Sequence, residues 1–215
     1  MTSSAQKTKE LLGIMTAQPV IPVLKIAKAS DAVPLARALA AGGLPAVEIT
    51  LRTPAALDAI RAVAAEVPEA IVGAGTILDA RQFDAAADAG ARFVVSPGFT
   101  PQLAAAAEGR APLLPGAITP GEIMAAAEAG YSVLKFFPAG QAGGAAFLEA
   151  LASPFAGIRF CPTGGIGPDN AGRYLALGNV VCVGGSWVAP DALVAAGRWS
   201  EITGLARRAA ALKRA

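Results

Sequence analysis

The chain has 215 residues, of which 54% are hydrophobic and 16% charged, with a formal net charge of +2 and no histidine. That is ample material for one large core, and the scattered charges lack the basic stripe of a nucleic-acid or membrane-surface protein. Without histidine, Ser-His and Cys-His catalytic pairs are excluded and the commonest nitrogen ligand for a metal is missing, so proton transfers fall to Glu, Asp, Lys, Tyr or water.

The first stretch, "MTSSAQKTKELLGIMTAQ", lacks the apolar core and cleavage site of a signal peptide and reads as a short helix. No apolar run approaches the ~18 residues of a membrane span. Eight β-rich segments follow: "VIPVLKI", "AVEITLR", "AIVGAGT", "FVVSPG", "PLLPGA", "SVLKFFP", "IRFCPTG" and "VVCVGGS", beginning near residues 20, 46, 70, 93, 112, 132, 158 and 180. Between them lie Ala-rich stretches such as "SDAVPLARALAAGG" and "TPAALDAIRAVAAEV" with apolar residues at helical spacing. These open on Ser, Thr or Asp, good N-caps, and several close on Gly, a good C-cap. Eight βα units without a composition break predict an α/β chain folded as a (β/α)8 TIM barrel, one domain over residues 1–215 with an extra N-terminal helix. A doubly wound sheet is the alternative, but it usually has fewer strands and a single Gly-rich turn. Here nearly every strand ends in small or polar residues, and in a barrel those ends meet at one mouth. Cys161 and Cys182 lie in apolar strand-like segments and read as reduced, buried thiols of a cytoplasmic protein. The basic tail "GLARRAAALKRA" reads as cations placed where a helix C-terminus favours them.

Strand side chains alternate, so Glu48, Thr50 and Arg52 share one face of the second strand while Val47, Ile49 and Leu51 share the other. The polar set is expected to point into the barrel, where charge is expensive unless it pairs or binds something. An internal salt bridge is the plain reading; the place of Arg52 beside the mouth favours a binding site. In "SVLKFFPA", Lys135 shares a face with Val133 and Phe137. Burial favours loss of an ammonium proton, and a neutral amine is what attacks a ketone to form a Schiff base. The alternative, that Lys135 only neutralises Glu48, is compatible with that role. Lys25, in "VIPVLKI", is the rival nucleophile. The ends "PTGGIGPDN" and "GGSW" offer Gly164, Gly165, Gly185 and Ser186 as an anion cradle after strands seven and eight, where barrels often bind phosphate. Thr76 and Thr163 end their strands with hydroxyls suited to a substrate carboxylate or hydroxyl. "GAGT" lacks the full spacing of a dinucleotide fingerprint.

The motifs "GGLPAVEITLRT", "IVGAGTI", "VVSPGFT", "LKFFPA", "RFCPTGGI" and "VGGSW", in this order from about Pro19 to Pro190, resemble the 2-keto-3-deoxy-6-phosphogluconate (KDPG) aldolases. These are class I aldolases of the Entner–Doudoroff pathway. The resemblance implies a homotrimer of (β/α)8 barrels that needs no metal or cofactor and has no nucleic-acid or membrane partner. It implies reversible cleavage of KDPG to pyruvate and D-glyceraldehyde 3-phosphate, with Lys135 as the Schiff-base lysine and Glu48 as the acid/base. Arg52 and Thr76 match the groups that hold the pyruvate carboxylate, Pro97 and Phe137 the pyruvate pocket, and Thr163 a substrate-contacting threonine. Gly164, Gly165 and Ser186 match the phosphate end, and Lys25 stands where the family varies. An aldolase of the same mechanism acting on 4-hydroxy-2-oxoglutarate or the galactose-series phosphosugar acid is the nearest alternative. A phosphosugar isomerase or epimerase, or a non-catalytic barrel serving as a structural trimer or binding module, is more distant.

Overall fold

The computed structural model describes the backbone of residues 4–214 and the side chains from Thr8 onward. The Val- and Ile-rich segments form parallel strands β1 (Val20–Leu24), β2 (Ala46–Thr50), β3 (Ile71–Gly75), β4 (Phe93–Val95), β5 (Leu113–Leu114), β6 (Val133–Phe136), β7 (Arg159–Pro162) and β8 (Val183–Gly185). They run in the order β5-β4-β3-β2-β1-β8, with β6 and β7 paired separately. Isolated bridges complete the ring, Gly116 to Lys135 on one side, and Phe160 to Val180 and Thr163 to Gly184 on the other. Every gap between consecutive strands is therefore hydrogen-bonded, and the sheet has no free edge. The doubly wound alternative is ruled out, and the (β/α)8 barrel is the fold.

Capping follows the sequence only in part: at α2 (Ala32–Ala41) and α3 (Ala56–Glu66) the N-cap residues Asp31 and Ala55 make no side-chain hydrogen bond, whereas the next three helices are capped by the expected residue types. Asp79 accepts from the Gln82 N–H at the start of α4 (Ala80–Asp88), and Thr100 accepts from the Leu103 N–H at the start of α5 (Pro101–Ala107). Thr119 and Glu122 form a reciprocal capping box on α6 (Pro120–Glu128). There the Thr119 and Ile118 N–H groups hold the Glu122 carboxyl below its ordinary range.

Apolar burial falls in two shells. The larger lies between strands and helices and includes Val47, Ile49, Ile60, Val72, Val94, Leu134 and Phe136. The smaller lies inside the barrel at its N-terminal end, where Leu11, Ile14 and Met15 of α1 (Ser4–Thr16) pack with Ile21, Ala46, Phe93, Val95, Leu114, Val133, Cys161 and Cys182. Helix α1 is thus the floor of the barrel. The two cysteines are free and buried there. A hydrogen bond with Cys161 and burial push the Cys182 thiol well up. Two polar side chains secure the same end. Buried Gln18 donates to the Val20 and Ala46 carbonyls at 2.7 and 2.8 Å and accepts from the Ala46 N–H at 2.8 Å, joining β1 to β2. Arg214 donates to the Thr16 carbonyl at 2.6 Å, tying the end of the chain to the end of α1. With α1 packed across one end, the C-terminal ends of the strands form the mouth at the other.

Candidate active site

Alternation in β2 and β6 carries Glu48 and Lys135 into the barrel, where they are 3% and 6% exposed. Lys135 Nζ lies 3.1 Å from Glu48 Oε1 and 3.4 Å from Oε2, across 87 residues of chain. It is the buried ion pair among the described residues, whereas the other ion pairs lie toward the surface. The contact gives an Nζ proton a direct path to the carboxylate, and its transfer would leave both groups neutral. The pair can therefore present a nucleophilic nitrogen without creating an unpaired buried charge. The Phe137 ring lies over the amine, 5.4 Å from Nζ to centroid, and the ring is partly exposed at the mouth.

Arg52 departs from the simple alternation. β2 ends at Thr50, and Arg52 follows in a bend with an exposed side chain rather than sharing an interior strand face with Glu48. Its Nε donates to Thr50 Oγ1 at 2.9 Å, and that hydroxyl donates in turn to the Leu24 carbonyl at 2.8 Å. Buried Thr50 thus steers the guanidinium along the rim, with its outer N–H groups unused by any ion pair among the described residues. Thr76 directly follows β3 and has φ of 61°, in the left-handed region that a β-branched residue rarely adopts. Such strain persists only where surrounding structure holds it, and it clusters at functional sites.

Thr163 follows β7 and is 6% exposed, and its Oγ1 has no hydrogen-bond partner among the described residues. A buried hydroxyl left unmade costs about 1–3 kcal/mol, so this oxygen is suited to meet an incoming polar group. Gly164 (φ 96°) and Gly165 (φ 71°) turn the chain sharply after it. The Gly164 carbonyl accepts from the Gly140 N–H at 2.9 Å, which joins the loops after β6 and β7. Asn170 braces the turn by donating to the Gly165 carbonyl and accepting from the Gly167 N–H, both at 2.9 Å. Ser186 is exposed just past β8. Gly185 is buried within β8, and its α-carbon packs against the Trp187 ring. Pro97 is half-buried beyond β4, and its carbonyl comes close to Gly116. Lys25, exposed beyond the end of β1, makes no ion pair among the described residues.

Thr50 and Asn170 are supporting residues that the motif reading passed over. Thr50 was visible in the same alternation as Glu48, and Asn170 as a turn former after "GIGP". A separate groove of about 1110 Å³ lies at the α1 end of the barrel beside α5 and α6, lined by Leu11, Ala104, Ala125, Val133, Glu108 and Tyr131. It contains no lysine and lies away from the Glu48–Lys135 pair.

Comparison with known proteins gives a consistent result. The family model for "KDPG and KHG aldolase" matches residues 12–205. The KHG/KDPG aldolase of Escherichia coli (strain K12) is 53% identical over 197 residues, covering 91% of this chain and 92% of the relative. The KDPG aldolase of Legionella pneumophila, solved with pyruvate captured at low pH as a covalent carbinolamine intermediate, superposes with a TM-score of 0.91 at 43% identity, covering 93% of this chain and 98% of that one. The 2-keto-3-deoxy-6-phosphogluconate aldolase of Zymomonas mobilis ZM4, solved with 3-phosphoglycerate, gives a TM-score of 0.90 at 47% identity, covering 97% and 98%. With its barrel, its buried amine–carboxylate pair and a match over most of its length, this chain belongs to the KDPG and KHG aldolase family.

Proposed function

We propose that this protein is a class I aldolase that cleaves KDPG reversibly to pyruvate and D-glyceraldehyde 3-phosphate through a Schiff base on Lys135. The observation that carries the reading is the buried contact of 3.1 Å between Lys135 Nζ and Glu48 Oε1. Transfer of a proton from Nζ to the carboxylate frees the amine, which attacks the C2 ketone of the substrate to give a carbinolamine. Protonated Glu48 returns its proton, directly or through a water, to the departing C2 oxygen, and water leaves the iminium behind. The C4 hydroxyl then gives its proton to Glu48. The C3–C4 bond breaks, its electron pair flows into the iminium to form an enamine, and the aldehyde is released. Protonation at C3 and addition of water to the iminium give pyruvate and regenerate the amine.

The other residues fit around that sequence. Arg52, held by Thr50, and Thr76, held in its left-handed conformation, face the pyruvate carboxylate. Pro97 and Phe137 wall the pyruvate methyl region, Thr163 meets a substrate oxygen, and Gly164, Gly165 and Ser186 take the phosphate, with Gly185 behind them at the end of the strand. The whole chain acts as one barrel domain, and the active protein is a cytoplasmic homotrimer, as the family resemblance implies. Among the described residues, no helix is long and apolar enough to cross a membrane.

A second substrate, 4-hydroxy-2-oxoglutarate, is favoured by the double name of the Escherichia coli relative. It carries a carboxylate where KDPG carries a phosphorylated chain, so the glycine-rich turn after β7 favours KDPG. A coupled assay for pyruvate release tests both. KDPG is expected to be turned over with the higher kcat/KM, and Lys135→Met to release none. Turnover that survives Lys135→Met contradicts the mechanism.

A further inference from the structure

Two strand glycines stand where no backbone conformation calls for one. Gly75 closes β3 and Gly184 lies within β8. Neither is among the residues with positive φ, so alanine would fit both backbones without torsional strain. What alanine would lack is room. A Cβ on Gly75 would collide with Cγ, Cδ and Oε1 of Glu48, and a Cβ on Gly184 would collide with Oγ1 and Cγ2 of Thr163. In each case the space is filled by a neighbouring strand's side chain that points into the barrel. Register explains the pairing: Thr50 lies beside Gly75 and Glu48 beside Gly73, so the long Glu48 side chain reaches diagonally toward the mouth and rests on Gly75. Gly73 yields its own space to the Phe93 ring, which leaves Glu48 no other berth along β3.

We propose that Gly75 and Gly184 are positioning residues, whose missing Cβ atoms hold the Glu48 carboxylate against Lys135 and the Thr163 hydroxyl toward the bound substrate. Glu48 Oε1 is at once the carboxylate oxygen nearer Lys135 Nζ, at 3.1 Å, and the atom that a Gly75 Cβ would meet first. It cannot retreat from the added methyl without changing its distance to the amine. Adding one carbon therefore misaligns the proton donor without removing any charged group. The kinetic part rests on the acid/base role proposed for Glu48, whereas the steric part does not.

The test is a cycle of four proteins, wild type, Gly75→Ala, Glu48→Ala and the double variant, each followed by thermal melting and by kcat and KM for KDPG. With Glu48 present, Gly75→Ala is expected to lower kcat by about 100-fold, the scale of a 1 Å misplacement, with KM much less affected, and to lower the Tm. With Glu48 shortened to alanine, the new methyl has the vacated space. Gly75→Ala should then leave the Tm unchanged or raised and change residual kcat by less than about twofold. If the single variant fails to fold, recovery of a cooperative melt in the double variant is the expected outcome. An equal loss of Tm in both backgrounds, losses of kcat that multiply, or a Gly75→Ala enzyme with wild-type kcat would each overturn the proposal. If Glu48→Ala retains full activity while the Tm cycle behaves as described, the acid/base assignment fails and the steric relation stands. The corresponding cycle of Gly184→Ala with Thr163→Ala is expected to show the same loss of additivity, chiefly in KM.

Discussion

The floor and the mouth of this barrel share one interior and follow opposite rules. At the floor, Leu11, Ile14 and Met15 of α1 close against Ile21, Phe93, Leu114 and Cys182, all buried, with the polar Gln18 satisfied by three hydrogen bonds. At the mouth, Glu48 and Lys135 pair in a buried setting, Thr163 keeps an unsatisfied hydroxyl, and Thr76 holds a left-handed backbone. The floor gains stability from apolar burial at roughly 25 cal/mol per Å². The mouth carries a polar atom, Thr163 Oγ1, that no described residue satisfies. The lesson is a division of labour, in which one end holds the strands rigid so that the other can keep a pair of charges out of water.

This contrast sets the order of expected effects. The largest belongs to Lys135→Met, which should abolish pyruvate release in a coupled assay, whereas Lys25→Met leaves turnover in place. Glu48→Gln retains the shape of the side chain and removes its basicity. It should lower kcat by about 10²–10⁴-fold, the usual worth of a positioned acid/base, with a preserved circular-dichroism spectrum. At the floor the sign of the comparison reverses. Met15→Ala should cost about 2–5 kcal/mol of stability by denaturant titration, with kcat/KM unchanged well below the transition. Loss of turnover in step with stability would show that the two ends are not separable.

A smaller effect belongs to Asn170, which braces the turn at Gly165 and Gly167. Asn170→Ala should raise KM for KDPG by about tenfold, equivalent to about 1.4 kcal/mol, and leave KM for 4-hydroxy-2-oxoglutarate unchanged. An equal rise for both would show that the turn serves no phosphate. An effect confined to alkaline pH belongs to Tyr131, which burial, reinforced by the Glu108 carboxylate, pushes up to about 12. The folded state then retains a phenolic proton that the unfolded chain gives up near pH 10. Stability should therefore fall as pH rises from about 10 to about 12. Tyr131→Phe should flatten that decline in urea midpoints measured across the window, and an unchanged slope would show that Tyr131 is not its source.

Much of this architecture is written in local pattern. The segments beginning near residues 20, 46, 70, 93, 112, 132, 158 and 180 correspond to strands opening at Val20, Ala46, Ile71, Phe93, Leu113, Val133, Arg159 and Val183. Strand length and Gly-rich ends are properties of a few adjacent residues, so they survive in a one-dimensional reading. The inward direction of Glu48 and Lys135 was legible for the same reason, through a period of two. Arg52 shows where that logic stops, because the strand ends at Thr50 and a bend has no period to extrapolate. Its tether to Thr50 depends on the torsions of that bend. The floor formed by α1, the collision of a Gly75 Cβ with Glu48 and the left-handed turn at Thr76 arise from packing and backbone torsion between distant segments. Composition and spacing carry no trace of them.

The central claim is that the buried amine of Lys135 forms the covalent intermediate, and trapping tests it most directly. The protein is incubated with pyruvate and sodium borohydride, digested, and mapped by mass spectrometry. The account predicts one reduced pyruvyl adduct, on Lys135, absent from Lys135→Met and from a sample without pyruvate. A label on Lys25 instead, or no label while KDPG is being turned over, would contradict it.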